Sequence, residues 1–258
     1  MNSPGKIKDI RVKGRLIGGD KPALCVPLVE KTTAALAEAA GRLAALQPDI
    51  IEWRVDYFDR LDREREVMAA LEVVHREAAG IPLLFTCRHH REGGQADIAE
   101  EGRISLVKKA LRSGLIDLLD LELLTKARER EAIIQKARQD GVYVILSYHD
   151  FRATPARDEM VEILAREQEA GADIAKIAVM PQNPYDVLSL LEAALIFRER
   201  YARIPAACMS MSRLGIISRI AGHLFGSAII YAAQERPSAP GQLPLDGLRR
   251  CLELMGLE

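Results

Sequence analysis

The chain has 258 residues, of which 48% are hydrophobic and 28% charged, and its net charge is −1. That composition is ordinary for a soluble enzyme, and the length can bury a large core in one domain or two small ones. A charge so close to zero argues against a general nucleic-acid binder, no run approaches the 18 apolar residues of a membrane span, and residues 1–6 lack the charged-then-apolar order of a secretory signal.

Residues 7–20 alternate and contain Gly18-Gly19, which predicts a short hairpin turning there, within a segment 1–22 that precedes the main fold. A repeating pattern follows. Apolar strands are predicted over residues 23–29, 49–56, 82–88, 115–123, 142–150, 174–180, 205–211 and 227–233. Between and after them, helical spacing predicts helices over 32–46, 62–79, 99–113, 125–139, 155–170, 184–200, 212–225 and 245–255, with Thr32 or Thr33 placed to cap the first. Near-continuous apolar strands between amphipathic helices indicate a parallel sheet covered by helices. Eight such units in one chain of this length predict a (β/α)8 TIM barrel in a single domain, 1–258, with the N-terminal hairpin capping its amino-end mouth. A doubly wound open sheet fits less well, because Pro27-Leu28-Val29-Glu30 is no glycine-rich first turn.

In a barrel, chemistry sits at the carboxyl ends of the strands, so polar residues that interrupt the apolar runs are the informative ones. Lys176 lies in the middle of an apolar run bounded by Gly171 and Pro181. An ammonium there must find a carboxylate, lose its proton or do chemistry. Taken alone, a buried ion pair accounts for it as well as a Schiff-base nucleophile does. Glu52 and Arg54 are two apart, hence on one face of their strand, where they could pair with each other. Arg88 ends the third strand, ahead of His89-His90-Arg91-Glu92-Gly93-Gly94. Asp117, Asp120 and Glu122 lie in the fourth, and no further His or Asp cluster completes a metal site around them. His149 and Asp150 end the fifth, and Met209 and Met211 read as packing in the seventh. Cys25, Cys87, Cys208 and Cys251 have no metal-like spacing; the first three read as buried thiols, which suits a reducing cytoplasm. No glycine-rich phosphate loop is present. If the strands hold, Glu52, Arg54, Arg88, Asp120, Glu122, His149 and Lys176 converge on one interior volume, a combination suited to amine catalysis with a general acid/base and an anion clamp.

The motifs Glu52-Trp53-Arg54-Val55-Asp56, Phe85-Thr86-Cys87-Arg88 with Glu92-Gly93-Gly94, Asp120-Leu121-Glu122-Leu123, Ser147-Tyr148-His149-Asp150-Phe151, Lys176-Ile177-Ala178, Met209-Ser210-Met211, Gly215-Ile216-Ile217-Ser218-Arg219, Phe225-Gly226-Ser227 and Ser238-Ala239-Pro240-Gly241-Gln242 resemble, in order, those of type I 3-dehydroquinate dehydratase. The resemblance implies a TIM barrel that converts 3-dehydroquinate to 3-dehydroshikimate in the shikimate pathway, with no cofactor and no metal. It implies Lys176 as the Schiff-base lysine, His149 as the general acid/base and Glu92 as the carboxylate partner of His149. It further implies Arg219 as the clamp on the substrate carboxylate, Glu52, Arg54 and Arg88 as contacts to the ring hydroxyls or supports of those contacts, and Ser238 and Gln242 as the tips of a closing lid. A cytoplasmic homodimer acting on a small molecule, with neither nucleic acid nor membrane as partner, is the expectation that follows. A class I aldolase-like lyase is the nearest rival and a non-catalytic ligand-binding barrel the rival from another class. Two departures stand out: Pro27 where many relatives have a small polar residue, which removes one substrate hydrogen bond, and Tyr231 where a Phe is usual.

Overall fold

The computed structural model describes residues 7–234 and 236–257. Its main sheet has eight parallel strands, β3 (Ala23–Leu28), β4 (Ile50–Arg54), β5 (Leu83–Thr86), β6 (Leu118–Glu122), β7 (Tyr143–Asp150), β8 (Ile174–Val179), β9 (Ala206–Ser210) and β10 (Ile229–Tyr231), in the order β10-β3-β4-β5-β6-β7-β8-β9. The two ends meet through an Ala206–Ser227 bridge and a hydrogen bond from Ala228 N to Ala206 O at 2.6 Å, which brings the sheet to a nearly closed barrel. Helices α1 (Thr33–Leu46), α2 (Glu64–Glu77), α3 (Glu100–Ser113), α4 (Ala127–Gln139), α5 (Arg157–Glu169), α6 (Pro184–Arg200), α7 (Ile216–Ile220) and α8 (Leu245–Leu254) alternate with the strands. Among the described residues no helix is long and apolar enough to cross a membrane.

Side chains alternate between two buried environments, as a strand's period of two requires. Residues such as Trp53, Phe85, Leu121, Leu146 and Ile177 pack outward under the helices. Ile50, Leu84, Leu118, Ile145, Ile174 and Ala207 fill the barrel's interior toward its amino end. Two residues further along the same strands come Glu52, Thr86, Asp120, Ser147 and Lys176, all buried. The apolar layer thus forms a floor on which a polar layer stands. Pro27, inside β3, sits beside Glu52 in register and two residues beyond Cys25, the last residue of β3 that β10 pairs; with no N–H it cannot extend the ladder that Ala23 N to Ala228 O and Ala232 N to Cys25 O form on that side.

The strand starts are tied by a recurring device. Asp49, Asp117 and Asp173, just before β4, β6 and β8, accept hydrogen bonds from Leu24 N, Leu83 N and Val144 N at 2.8, 2.8 and 2.9 Å. Asp117 therefore belongs to the amino end, where it also pairs with Lys13 at 2.8 Å, and not to the polar layer. Strands β1 (Ile10–Val12) and β2 (Arg15–Ile17) form the N-terminal hairpin, and Ile10, Val12 and Ile17 pack against the barrel's interior floor. Its turn is at Lys13-Gly14 (φ 45° and 80°), not at Gly18-Gly19: a two-residue turn of this hand needs positive φ at both central residues. Residues 1–6 of the expected segment 1–22 lie outside the described residues.

The other difference from expectation is the helix anticipated over 212–225. Ser212 takes a left-handed conformation (φ 58°), and a Cβ on Gly215 would lie 2.2 Å from Ser210 O, so the chain folds back on β9 before it can turn helical. Only Ile216–Ile220 is α-helical, followed by a 3-10 turn at Gly222–Phe225.

Candidate active site

Lys176 projects from β8 into a cavity at the carboxyl ends of the strands. Its Nζ donates to Asp120 Oδ2 at 2.8 Å and stands 4.2 Å from the centre of the Tyr231 ring. The other oxygen of Asp120 accepts from Ser147 Oγ at 2.7 Å and from Arg88 Nη2 at 2.8 Å. Burial alone would raise the Asp120 carboxyl, but Arg88 and Lys176 reverse that and hold it well below the usual carboxylate range. Arg88 in turn gives Nη1 to Glu122 at 2.8 Å and to Ser147 Oγ at 2.9 Å. Against the pull of burial, Asp120 and Glu122 keep its guanidinium firmly charged.

A second arm faces the lysine. The chain leaves β5 through Arg88 and a 3-10 turn, His90–Glu92, then reverses at Gly93-Gly94. A Cβ on Gly94 would lie 2.1 Å from Arg88 O, and Gly93 has φ +85° with the Phe151 ring against it, so this pair permits a reversal that other residues would block. The reversal carries Glu92 to the end of β7. There Glu92 Oε2 meets both the backbone N–H and the Nδ1 of His149 at 3.0 Å. Burial, reinforced by Glu122, pushes the Glu92 carboxyl up to about 8. Burial, together with the Arg88 and Lys176 charges, pushes His149 well below the ordinary imidazole value. A buried carboxylic acid beside neutral imidazole and a carboxylate beside imidazolium differ only in which side of the Oε2···Nδ1 contact holds one proton. Moving that proton within the pair leaves its total charge unchanged, whereas giving or taking a proton at the ring's other nitrogen changes it by one, and the shared proton lets that charge settle on either group.

The remaining walls carry contrasting cations. Arg54 is bidentate to Asp56, with Nε and Nη2 each 2.8 Å from a carboxylate oxygen, and its guanidinium packs over Tyr57. Glu52, which could have been its partner, instead accepts from Thr86 Oγ1 at 2.8 Å. Arg219 is different. It is 2% exposed and, among the described residues, reaches only the carbonyls of Tyr231 (3.5 Å) and Pro240 (3.2 Å) and leaves Nε without a partner. No carboxylate pairs with it among the described residues, and burial lowers it to about 10. A buried guanidinium with spare donors facing a cavity is a preformed anion site. The loop after β10 closes over it: Ser238 N and Oγ bond the Gln242 side chain at 2.7 and 3.0 Å, and Ser212 N bonds Pro240 O at 3.1 Å. Gly241, φ +82°, lies against the Ser212 carbonyl at a distance no Cβ tolerates.

A family model, "Type I 3-dehydroquinase", matches residues 24–258. The chain belongs to that family. It is 42% identical to the 3-dehydroquinate dehydratase of Klebsiella pneumoniae (strain 342) over 246 residues, 95% of this chain and 98% of that one. Among solved structures it resembles the type I 3-dehydroquinate dehydratase of Clostridium difficile bearing covalently modified comenic acid (TM-score 0.93, 41% identity, covering 96% and 98% of the two chains). The 3-dehydroquinate dehydratase of Geobacillus kaustophilus is equally similar in fold (TM-score 0.93, 38% identity, 96% of each chain).

In this family member Glu52, Arg54, Arg88, Glu92, His149, Lys176, Arg219, Ser238 and Gln242 all line the one cavity, together with Met209, Met211 and Tyr231. The two methionines are therefore part of the cavity wall as well as packing. Asp120 and Glu122, which resemble metal ligands in sequence, are each saturated by cationic side chains. Two further residues escape a strand-by-strand reading because they sit on helices. Arg103, on α3, is 1% exposed and bonds Glu122 from behind. Glu167, on α5, is wholly buried and accepts the backbone N–H of Lys176 at 2.8 Å.

Proposed function

We propose that the chain is a 3-dehydroquinate dehydratase that works through an imine on Lys176. One observation carries the reading: a buried lysine, a buried His149–Glu92 pair and a buried Arg219 with no carboxylate partner among the described residues share one cavity. Arg219 holds the substrate carboxylate through its free donors. Glu52, Arg54 and Arg88 meet the ring hydroxyls or brace what does. Nζ, released from Asp120, adds to the C3 ketone; loss of one water leaves a protonated imine. That imine is the electron sink for the C2 proton, which His149 removes as its Nδ1 leans on Glu92. The resulting enamine expels the C1 hydroxyl, His149 returns the proton to it, and water departs. Hydrolysis of the imine consumes one water and frees Lys176 with 3-dehydroshikimate, so the net change is the loss of one water. The reaction needs no metal or cofactor, because the iminium takes the place of a Lewis acid. Ser238 and Gln242 cover the substrate during the cycle.

The reaction places the chain in the cytoplasmic shikimate pathway toward aromatic amino acids. We also propose a homodimer. Tyr185 and Leu188 on α6, with Ile217 and Leu224 on the segment packed beside it, are large apolar side chains left exposed. Sedimentation at micromolar concentration distinguishes a dimer from a monomer.

The decisive experiment is borohydride reduction in the presence of 3-dehydroquinate. A stable adduct on Lys176 by mass spectrometry, its loss in Lys176→Ala, and a rise in enone absorbance with unreduced enzyme are expected. A folded chain that gives neither adduct nor enone is a binding barrel and not this enzyme.

A further inference from the structure

Behind the cavity lies an unbroken line of alternating charges: Lys176, Asp120, Arg88, Glu122, Arg103, Glu100. Its inner members are described above; its outer half is Arg103. That guanidinium takes Glu100 bidentately (Nε to Oε2 at 2.8 Å, Nη2 to Oε1 at 2.9 Å), places Nη1 on Glu122 Oε2, and reaches Thr125 Oγ1 at 3.0 Å. Arg103 thereby joins the start of α3 to the end of β6. Glu122, the carboxylate it grips, has a second set of partners on its other oxygen. Oε1 accepts from Arg88 Nη1 at 2.8 Å and from the backbone N–H of His89 at 3.0 Å. Arg88 leads to Asp120 and so to Lys176. His89 opens the turn that carries Glu92, and so leads to His149. Both arms of the site are therefore hung from one carboxylate, and that carboxylate is held from outside by one arginine that does not line the cavity.

We infer that Arg103 and Glu122 form a positioning unit that sets the lysine arm and the histidine–glutamate arm in register with each other. Neither residue touches substrate in this assignment, which rests on the roles given to Lys176 and His149 above. The physical basis is geometric. Glu122 Oε1 can satisfy Arg88 and His89 together only while Oε2 is restrained, and a guanidinium fork is the restraint that fixes a carboxylate's plane as well as its distance. Released from Arg103, Glu122 can rotate, and the two arms shift relative to one another. Misplacement of reacting groups by about 1 Å costs on the order of 100-fold in rate.

The test uses the full chain with Arg103→Met and Arg103→Lys, and the unaltered chain as reference. The reference must first show the borohydride adduct; if it does not, the proposed reaction fails and the positioning idea is not what was refuted. Given that adduct, Arg103→Met is expected to lower kcat by about 10- to 100-fold with KM changed by less than about threefold, and to slow single-turnover trapping of the imine. The acid limb of the pH–rate profile should move to higher pH, because removing a cation from beside Glu122 strengthens the negative field on Glu92 and favours its protonated form. Arg103→Lys keeps the charge without the fork and should recover the pH profile but less than half of kcat. If Arg103→Met fails to fold, Arg103→Lys decides alone. A purely structural brace would lower the melting temperature yet leave kcat, trapping rate and pH profile per folded molecule unchanged, and that result in either variant overturns the inference.

Discussion

Lys176 Nζ lies 2.8 Å from Asp120 Oδ2, and Asp120 has no exposed side-chain surface at all. An ion pair this deep places the amine at the centre of the cavity and ties its charge to that of the carboxylate. Burial of two charges is costly, and removal of one partner leaves the other uncompensated.

Asp120→Asn is accordingly expected to destabilise the fold by about 3–5 kcal/mol at pH 7, since it strands Lys176 and weakens the hold on Arg88. The pH dependence has a definite sign. The Asp120 carboxyl is depressed in the folded chain, so its stabilisation is present above the unfolded value of about 3.9 and is lost as pH falls below it. Asn does not titrate. Urea unfolding should therefore show the gap between the two proteins narrowing below about pH 4. A gap that stays constant down to pH 3 would mean that the pair contributes nothing specific.

Glu92→Gln should separate stability from activity. Burial raises the Glu92 carboxyl to about 8, far above its unfolded value of about 4.3. A raised carboxyl favours folding below the unfolded value and loses that contribution as pH climbs toward the folded one. Between about pH 4.5 and 8 the original chain thus becomes progressively less stable relative to the glutamine variant. The melting temperature of Glu92→Gln should exceed that of its parent by a margin that widens from pH 5 to pH 8. Its kcat should fall at least about tenfold, because an amide cannot exchange a proton with His149. Parallel melting curves across that range would show that Glu92 is ionised throughout.

How much of this was open to inspection in the chain alone follows from where each residue sits. Strands buried on both faces must be apolar throughout, so Lys176 is conspicuous among Ile174, Ala175 and Ile177, and so are Glu52 and Asp120 in their strands. Helices carry charge as a matter of course, so a charge such as Arg103 or Glu167 does not stand out in one. Yet Arg103 falls in line with Val107 and Ala110, and Glu167 with Met160, Ile163 and Leu164, at the spacings of a buried helical stripe. That coincidence of a charge with an apolar stripe is the signal that would have found them. The hairpin turn was misplaced for a different reason. Gly18-Gly19 looks more turn-like than Lys13-Gly14, but the strand pairing Ile10–Ile17 requires a turn midway between those two residues. The pairing of Arg54 with Asp56 instead of Glu52 depends on the backbone leaving β4 through a 3-10 turn, Val55–Tyr57, which alternation cannot reveal.

Arg219→Met should make the substrate-free chain more stable and the enzyme worse. The buried guanidinium has no carboxylate partner among the described residues and a nitrogen with no acceptor, an arrangement that costs stability unless an anion arrives. Replacement by an apolar side chain of similar length is expected to raise stability by about 1–3 kcal/mol. Loss of the proposed charge-assisted bonds to a substrate carboxylate should raise KM by roughly 30-fold or more. Calorimetry of the free enzyme together with initial-rate kinetics reads both. An unchanged KM would remove Arg219 from carboxylate binding, and a less stable variant would show that its two carbonyl contacts outweigh its uncompensated charge.

Glu167 offers the cleanest separation of a hydrogen bond from a charge. Its Oε2 accepts the Lys176 backbone N–H, while its Oε1 is buried without a partner. Burial pushes the carboxyl well above its ordinary value, which favours its neutral form. A glutamine has the same shape and the same accepting oxygen. Glu167→Gln is therefore expected to lie within about 1 kcal/mol of the original in stability, with kcat changed less than about threefold. Glu167→Leu removes the acceptor and orphans the N–H of Lys176 in β8, at a cost of about 1–3 kcal/mol for that group, partly offset by the loss of a buried carboxyl. Because that N–H belongs to Lys176 itself, the strand can satisfy it only by moving, and the Nζ moves with it. Hydrogen exchange at the Lys176 amide should accelerate in the leucine variant and not in the glutamine variant, and single-turnover imine trapping should slow in step. If the amide remains protected and trapping is unaltered in Glu167→Leu, the strand is held by its neighbours in the sheet and Glu167 is dispensable to the lysine's placement.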